Sequence, residues 1–170
     1  MTKNTHKEMI STLSMLVDNE PGVLSRVTGL FSGRGFNIQS LSVAETMDPD
    51  ISRITVVVPG NEMILEQITK QLRKLVNIHK VIDLTSVPRV ERELALIKVR
   101  AKNGHRAEIL RIVDIFRCKV VDVSPTEYTI EVTGNTEKMD AILSLLTRTG
   151  ITEIARSGLV GIARSTKGEK

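Results

Sequence analysis

Apolar and polar residues alternate from Met9 to Val17, a period of two that predicts a half-buried strand. After Asp18-Asn19-Glu20-Pro21-Gly22 the period lengthens, and Val23, Leu24, Val27, Leu30 and Phe31 line one face of a helix. Carried along the chain, this reading predicts strands over 9–17, 36–46, 51–58 and 76–84, with helices over 22–32 and 61–73. The order then repeats, with strands over 92–101, 118–124, 127–133 and 151–157 and helices over 104–116 and 135–147. The helical faces are Ile64, Leu65, Ile68 and Leu72; Ile109, Ile112, Val113 and Phe116; and Met139, Ile142, Leu143 and Leu146.

The punctuation repeats with the pattern. Asn61 follows Val58-Pro59-Gly60, and Asn135 follows Val132-Thr133-Gly134. Each precedes a predicted helix, where an Asn side chain can cap free N–H groups. Asp48-Pro49-Asp50 and Ser124-Pro125-Thr126 are turns between strands. Two strand-helix-strand-strand-helix-strand units imply an α+β chain made of two ferredoxin-like βαββαβ sandwiches in tandem, over 9–85 and 92–165. Residues 86–91, around Pro88, form the expected linker.

In that fold the strands lie in the order 4-1-3-2, which leaves the second strand at an edge. The segment 36–46 carries one charge and no proline, so it is not blunted as a solitary edge normally is. It is expected to pair with its own copy across a twofold axis, unless the loop 47–50 covers it.

The 170 residues are 41% hydrophobic and 26% charged, the balance of a globular protein large enough for two small cores. Three Phe, one Tyr and no Trp make those cores aliphatic. A single cysteine, Cys118, excludes an intrachain disulfide and a cysteine-cluster metal site, and it reads as a small hydrophobe. Met1 to Glu8 holds no apolar signal core, and no apolar run reaches membrane-span length, so a cytoplasmic protein with no membrane partner is expected. The net charge of +4 is scattered over Lys70, Arg73, Lys74, Arg89, Arg92, Arg156, Arg164, Lys167 and Lys170. The first and third strands of the first half lack the aromatics that stack bases, the second half offers only Tyr128 on its third strand, and no nucleic-acid partner is expected.

The three histidines, His6, His79 and His105, have neither metal-ligand spacing nor an evident nucleophile, and no phosphate loop is present. Gly33-Arg34-Gly35 follows a helix, the wrong context for a dinucleotide fingerprint. The remaining candidate is the 18–22 loop. A helix start offers unpartnered N–H groups and partial positive charge to a carboxylate. Gly22 permits close approach, and Asn19 supplies an amide donor and acceptor. A small zwitterion could place its carboxylate on the N–H groups of Gly22, Val23 and Leu24. Asn37 and Ile38 of a second chain would complete its surroundings. The same residues also read as an ordinary helix cap and turn, and chemistry alone leaves both open.

Asn19-Glu20-Pro21-Gly22-Val23-Leu24 and Arg34-Gly35-Phe36-Asn37-Ile38 resemble an ACT domain, an amino-acid-sensing module. With Leu24-Ser25-Arg26-Val27-Thr28-Gly29-Leu30-Phe31, Gln71-Leu72-Arg73-Lys74-Leu75-Val76, Val90-Glu91-Arg92-Glu93-Leu94 and Ala155-Arg156-Ser157-Gly158, the stretch from about Met9 to Ser165 resembles the small regulatory subunit of acetolactate (acetohydroxyacid) synthase. The resemblance implies a non-catalytic, cofactor-free subunit that activates a large catalytic subunit and confers feedback inhibition by valine in branched-chain amino-acid biosynthesis. The catalytic partner of that family uses thiamine diphosphate, Mg2+ and FAD to make 2-acetolactate and CO2 from two pyruvates. The family's effector contacts fall on Asn19, Gly22, Val23 and Leu24 of one chain and on Asn37 and Ile38 of its partner. The second half keeps Asn103-Gly104 but not the Asn-Glu-Pro-Gly pattern, so no second effector site of that geometry is expected. The alternative reading is a free-standing ACT sensor that controls another enzyme or a transcription factor.

Overall fold

A computed structural model describes residues 10–102 and 104–165. The tail through Met9, His6 within it, Asn103, Lys167 and Lys170 lie outside the described residues. The elements are β1 (Ile10–Asp18), α1 (Val23–Ser32), β2 (Ser40–Glu45), β3 (Ile51–Pro59), α2 (Glu62–Leu72), β4 (Ile78–Asp83), β5 (Arg89–Arg100), α3 (His105–Ile115), β6 (Lys119–Val123), β7 (Glu127–Gly134), α4 (Thr136–Thr147), β8 (Ile151–Arg156) and β9 (Val160–Ala163). The chain falls into two compact units, one running to Val90 and resuming at Gly161, the other Glu91–Val160.

The first sheet has the order β2-β3-β1-β4, all antiparallel neighbours, which is the expected 4-1-3-2. Alternation along β1 and β3 sends Leu13, Met15, Val17, Ile54, Val56 and Val58 to one side. They meet Val23, Val27 and Phe31 of α1 and Leu65, Ile68 and Leu72 of α2. Each such buried side chain contributes roughly 1.5–3 kcal/mol. Leu24, on the predicted apolar face of α1, is instead left 40% exposed. The second sheet repeats the order as β6-β7-β5-β8, and Ala95, Ile97, Val99, Ile130 and Val132 pack on Ile109, Ile112, Val113, Met139, Ile142 and Leu146. Cys118 packs against this second core, half-buried, and burial raises its thiol pKa.

Two boundaries and one additional strand differ from the sequence reading. The predicted strand 36–46 is a strand only from Ser40. Gly35 has φ +71° and the Phe36 N–H folds back onto the Phe31 carbonyl at 3.0 Å, closing the end of α1. Continuing the β2–β3 register would also set Ile38 opposite Pro59, which has no N–H to pair. The predicted linker 86–91 is partly strand, because β5 begins at Arg89. The last strand was unforeseen: β9 pairs with β5, and the Arg164 N–H donates to the Pro88 carbonyl at 2.7 Å. Among the described residues no helix is long and apolar enough to cross a membrane.

Candidate functional site

The 18–22 loop joins the end of β1 to the start of α1. Gly22 sits in the left-handed region at φ +89°, ψ −13°, a conformation that costs other residues about 1–2 kcal/mol. A Cβ there would meet nothing within 4 Å, so the position is open. No side chain caps α1, and no acidic residue lies in its first turn. The Val23 N–H makes a long 3.3 Å bond to the Glu20 carbonyl. The N–H groups of Gly22, Leu24 and Ser25 have no acceptor among the described residues.

The other helix of this unit shows what is missing. Asn61 caps α2, accepting from the Ile64 N–H at 2.9 Å, and Glu62 occupies its first turn. Such a cap is worth about 1 kcal/mol. α1 forgoes it and keeps an open, partly positive N-terminus. Exposed Leu24 stands beside that opening while Val23 is buried in the core, so Val23 can offer only its backbone.

Asn19 is committed within its own chain. Its amide donates to Glu45 Oε1 at 3.1 Å and to the Pro49 carbonyl at 2.8 Å, and its Oδ1 accepts from Ser52 Oγ at 3.1 Å. Both amide hydrogens are thus used, and one lone pair remains. Asn19 therefore fastens the 46–50 turn to the loop. That turn closes locally, Thr46 N–H to Ile51 O at 2.8 Å, and Val43, Ala44 and Glu45 of the edge strand stay exposed.

Asn37 and Ile38 lie at the opposite end of the sheet. Asp18 pairs with Ile51 and Ser40 with Val57, six residues further along β3, or about 20 Å. Ile38 is half-buried against the core, and Asn37 is exposed with no side-chain hydrogen bond to another described residue. One chain therefore brings Asn19, Gly22, Val23 and Leu24 together and keeps Asn37 and Ile38 away from them.

A polar cluster that sequence reasoning did not find lies beside the loop. The Asp18 carboxylate accepts from Asn77 Nδ2 at 2.8 Å and meets His79 Nε2 at 2.5 Å, while Arg26 Nη1 donates to Asn77 Oδ1 at 2.6 Å. The hydrogen bond from Asn77, then that from His79, holds the Asp18 carboxyl below the usual aspartate range. These partners are 51 to 61 residues apart, so no local pattern signals them. Among the described residues no group of His, Cys, Asp and Glu could hold a metal.

Comparison with known proteins agrees over most of the chain. Residues 13–80 match the family described as AHAS small subunit-like ACT domain, and residues 92–165 match the small subunit of acetolactate synthase. An acetolactate synthase small subunit from Mycolicibacterium smegmatis is 54% identical over 157 residues, covering 92% of each chain. One from Haemophilus influenzae is 51% identical, covering 91% of this chain and 96% of its own. The crystal structure of the small subunit from Thermotoga maritima superposes with a TM-score of 0.84 at 44% identity, covering 93% of this chain and 99% of that one.

Proposed function

The chain belongs to the family of acetolactate synthase small regulatory subunits, and on that premise we propose that it senses valine at the N-terminus of α1 and passes the signal to the catalytic large subunit. The observation that carries this reading is the uncapped start of α1, with open N–H groups at Gly22 and Leu24 beside an exposed leucine. A carboxylate on those N–H groups gains the charge-assisted bonds that a capping side chain would otherwise supply. An aliphatic side chain on the ligand then lies against Leu24.

The second wall comes from a second copy, paired through the edge strand β2. Its Asn37 amide has free donors and an acceptor for the ammonium and carboxylate, and its Ile38 adds apolar surface. The subunit carries no cofactor. Thiamine diphosphate, Mg2+ and FAD act in the catalytic partner, which it activates and which opens the branched-chain amino-acid pathway in the cytoplasm. Valine at a subunit interface regulates by favouring one arrangement of subunits, and a coupling of about 1–3 kcal/mol suffices.

Mixing tests this arrangement. Asn19→Ala and Asn37→Ala subunits should each fail to bind valine in calorimetry. A mixture should regain binding, because a mixed dimer holds one intact site. Unchanged binding by either single variant, or no recovery in the mixture, overturns the shared site.

A further inference from the structure

Two residues bracket the effector loop: Asp18 closes β1, and Arg26 lies in the first turn of α1. Asn77, in the connection from α2 to β4, holds both. The Asp18 N–H donates to the Asn77 carbonyl at 2.9 Å, Asn77 Nδ2 donates to Asp18 Oδ2 at 2.8 Å, and Arg26 Nη1 donates to Asn77 Oδ1 at 2.6 Å. A primary amide suits the place because it presents a donor to the carboxylate and an acceptor to the guanidinium. His79 on β4 engages the other Asp18 oxygen, so the charged groups around Asn77 are Asp18 from β1, Arg26 from α1 and His79 from β4.

The second unit serves as an internal control. The Arg100 N–H donates to the Gly150 carbonyl at 3.0 Å, the same backbone bond with no side chain behind it. A backbone bond alone therefore suffices to hold the strand end. The side-chain brace of the first unit is an addition to the fold, placed at the loop.

We infer that Asn77 is a positioning residue for the effector site: through Asp18 and Arg26 it fixes the first turn of α1 against β1, so that the N–H groups of Gly22 and Leu24 stay aimed at a carboxylate. The inference rests on the valine reading above.

The experiment uses holoenzyme reconstituted with wild-type, Asn77→Ala or Asn77→Asp subunits. Inhibition and calorimetric affinity for valine are followed from pH 8 to pH 5.5, with thermal melting of each. Asn77→Ala should raise the valine Kd and the half-inhibiting concentration about tenfold, with uninhibited activity and melting temperature near wild type. Asn77→Asp sets a second carboxyl against Asp18, so its affinity should be lower still at pH 8. It should recover relative to wild type as the pH falls, because a proton shared between the two carboxyls restores the donor. Wild-type affinity in both variants overturns the inference, as does a parallel fall in melting temperature with no recovery at low pH. Failure of wild-type subunits to bind valine would instead overturn the reading of the loop, and this inference with it.

Discussion

Away from Asn103, the loops that lead into α1 and α3 share their backbone hydrogen bonds and differ in the side chains around them. Each spans four residues and ends in a left-handed glycine, Gly22 at φ +89° and Gly104 at φ +92°. Val23 N–H to Glu20 O and His105 N–H to Lys102 O are both 3.3 Å, and Asn19 N–H to Asp50 O at 2.7 Å is matched by Ala101 N–H to Thr126 O at 2.8 Å. At the position of exposed Leu24, the second unit has Arg106. Its guanidinium turns back onto the carbonyls of Ala101, at 2.8 Å, and Pro125. Glu108 places a carboxylate in the first turn of α3, where Arg26 stands in α1. One copy of the motif leaves its helix end open beside an apolar surface. The other covers its loop carbonyls with a cation and answers the helix dipole with its own acid. An open helix start is therefore not a site in itself; the neighbouring side chains decide.

The largest expected effect comes from putting the same change into both loops. Gly22→Asp sets a carboxylate where the effector's own would sit. It should abolish valine inhibition of reconstituted holoenzyme, a shift of about a hundredfold or more, while activation persists. Gly104→Asp pays the same left-handed strain, about 1 kcal/mol of stability, and should leave the inhibition curve in place. Equal loss from both would erase the distinction between the loops. Leu24→Ala removes the apolar contact and should weaken calorimetric valine binding about fivefold to tenfold, with activation unchanged.

Smaller effects separate capped from open helices. Asn61→Ala and Asn135→Ala each remove a side chain that accepts from the third residue of its helix. Each should cost about 1 kcal/mol in denaturant unfolding and leave valine affinity near wild type. The smallest effect concerns acid. The Asp18 carboxyl is held below its ordinary value, so the stability it contributes is present above about pH 3.9 and is lost as pH falls through its lowered value. Asp18→Asn should flatten the decline of melting temperature below pH 4. An unchanged slope would show that this carboxylate does not set it.

Much of this was legible in the residues. Periodicity placed the helices and most strands because the side chains of Leu13, Met15, Val27 and Phe31 carry the packing directly. Asn61 and Asn135 announced their caps because a cap is a local contact. Gly22 announced the loop for the same reason. The strand 36–39 was misread because Phe36 and Ile38 alternate correctly, yet the Phe36 N–H is taken by the Phe31 carbonyl and Ile38 would face Pro59, a residue 21 positions past it. β9 escaped because four residues are too short a run for a period to show. The Asn77 brace and the inward turn of Arg106 are long-range choices of hydrogen-bond partner, invisible until the fold brings those residues together.

The separation of about 20 Å between the Asp18 and Ser40 ends of one sheet also has a consequence in mass action. On the proposed twofold dimer each association creates two binding places and a lone chain has none. Effector and self-association are then linked through the square of the binding polynomial. At a valine concentration ten times its Kd, the apparent dimer dissociation constant falls about 120-fold. On that dimer, sensitivity to the effector is thereby tied to the concentration of the subunit.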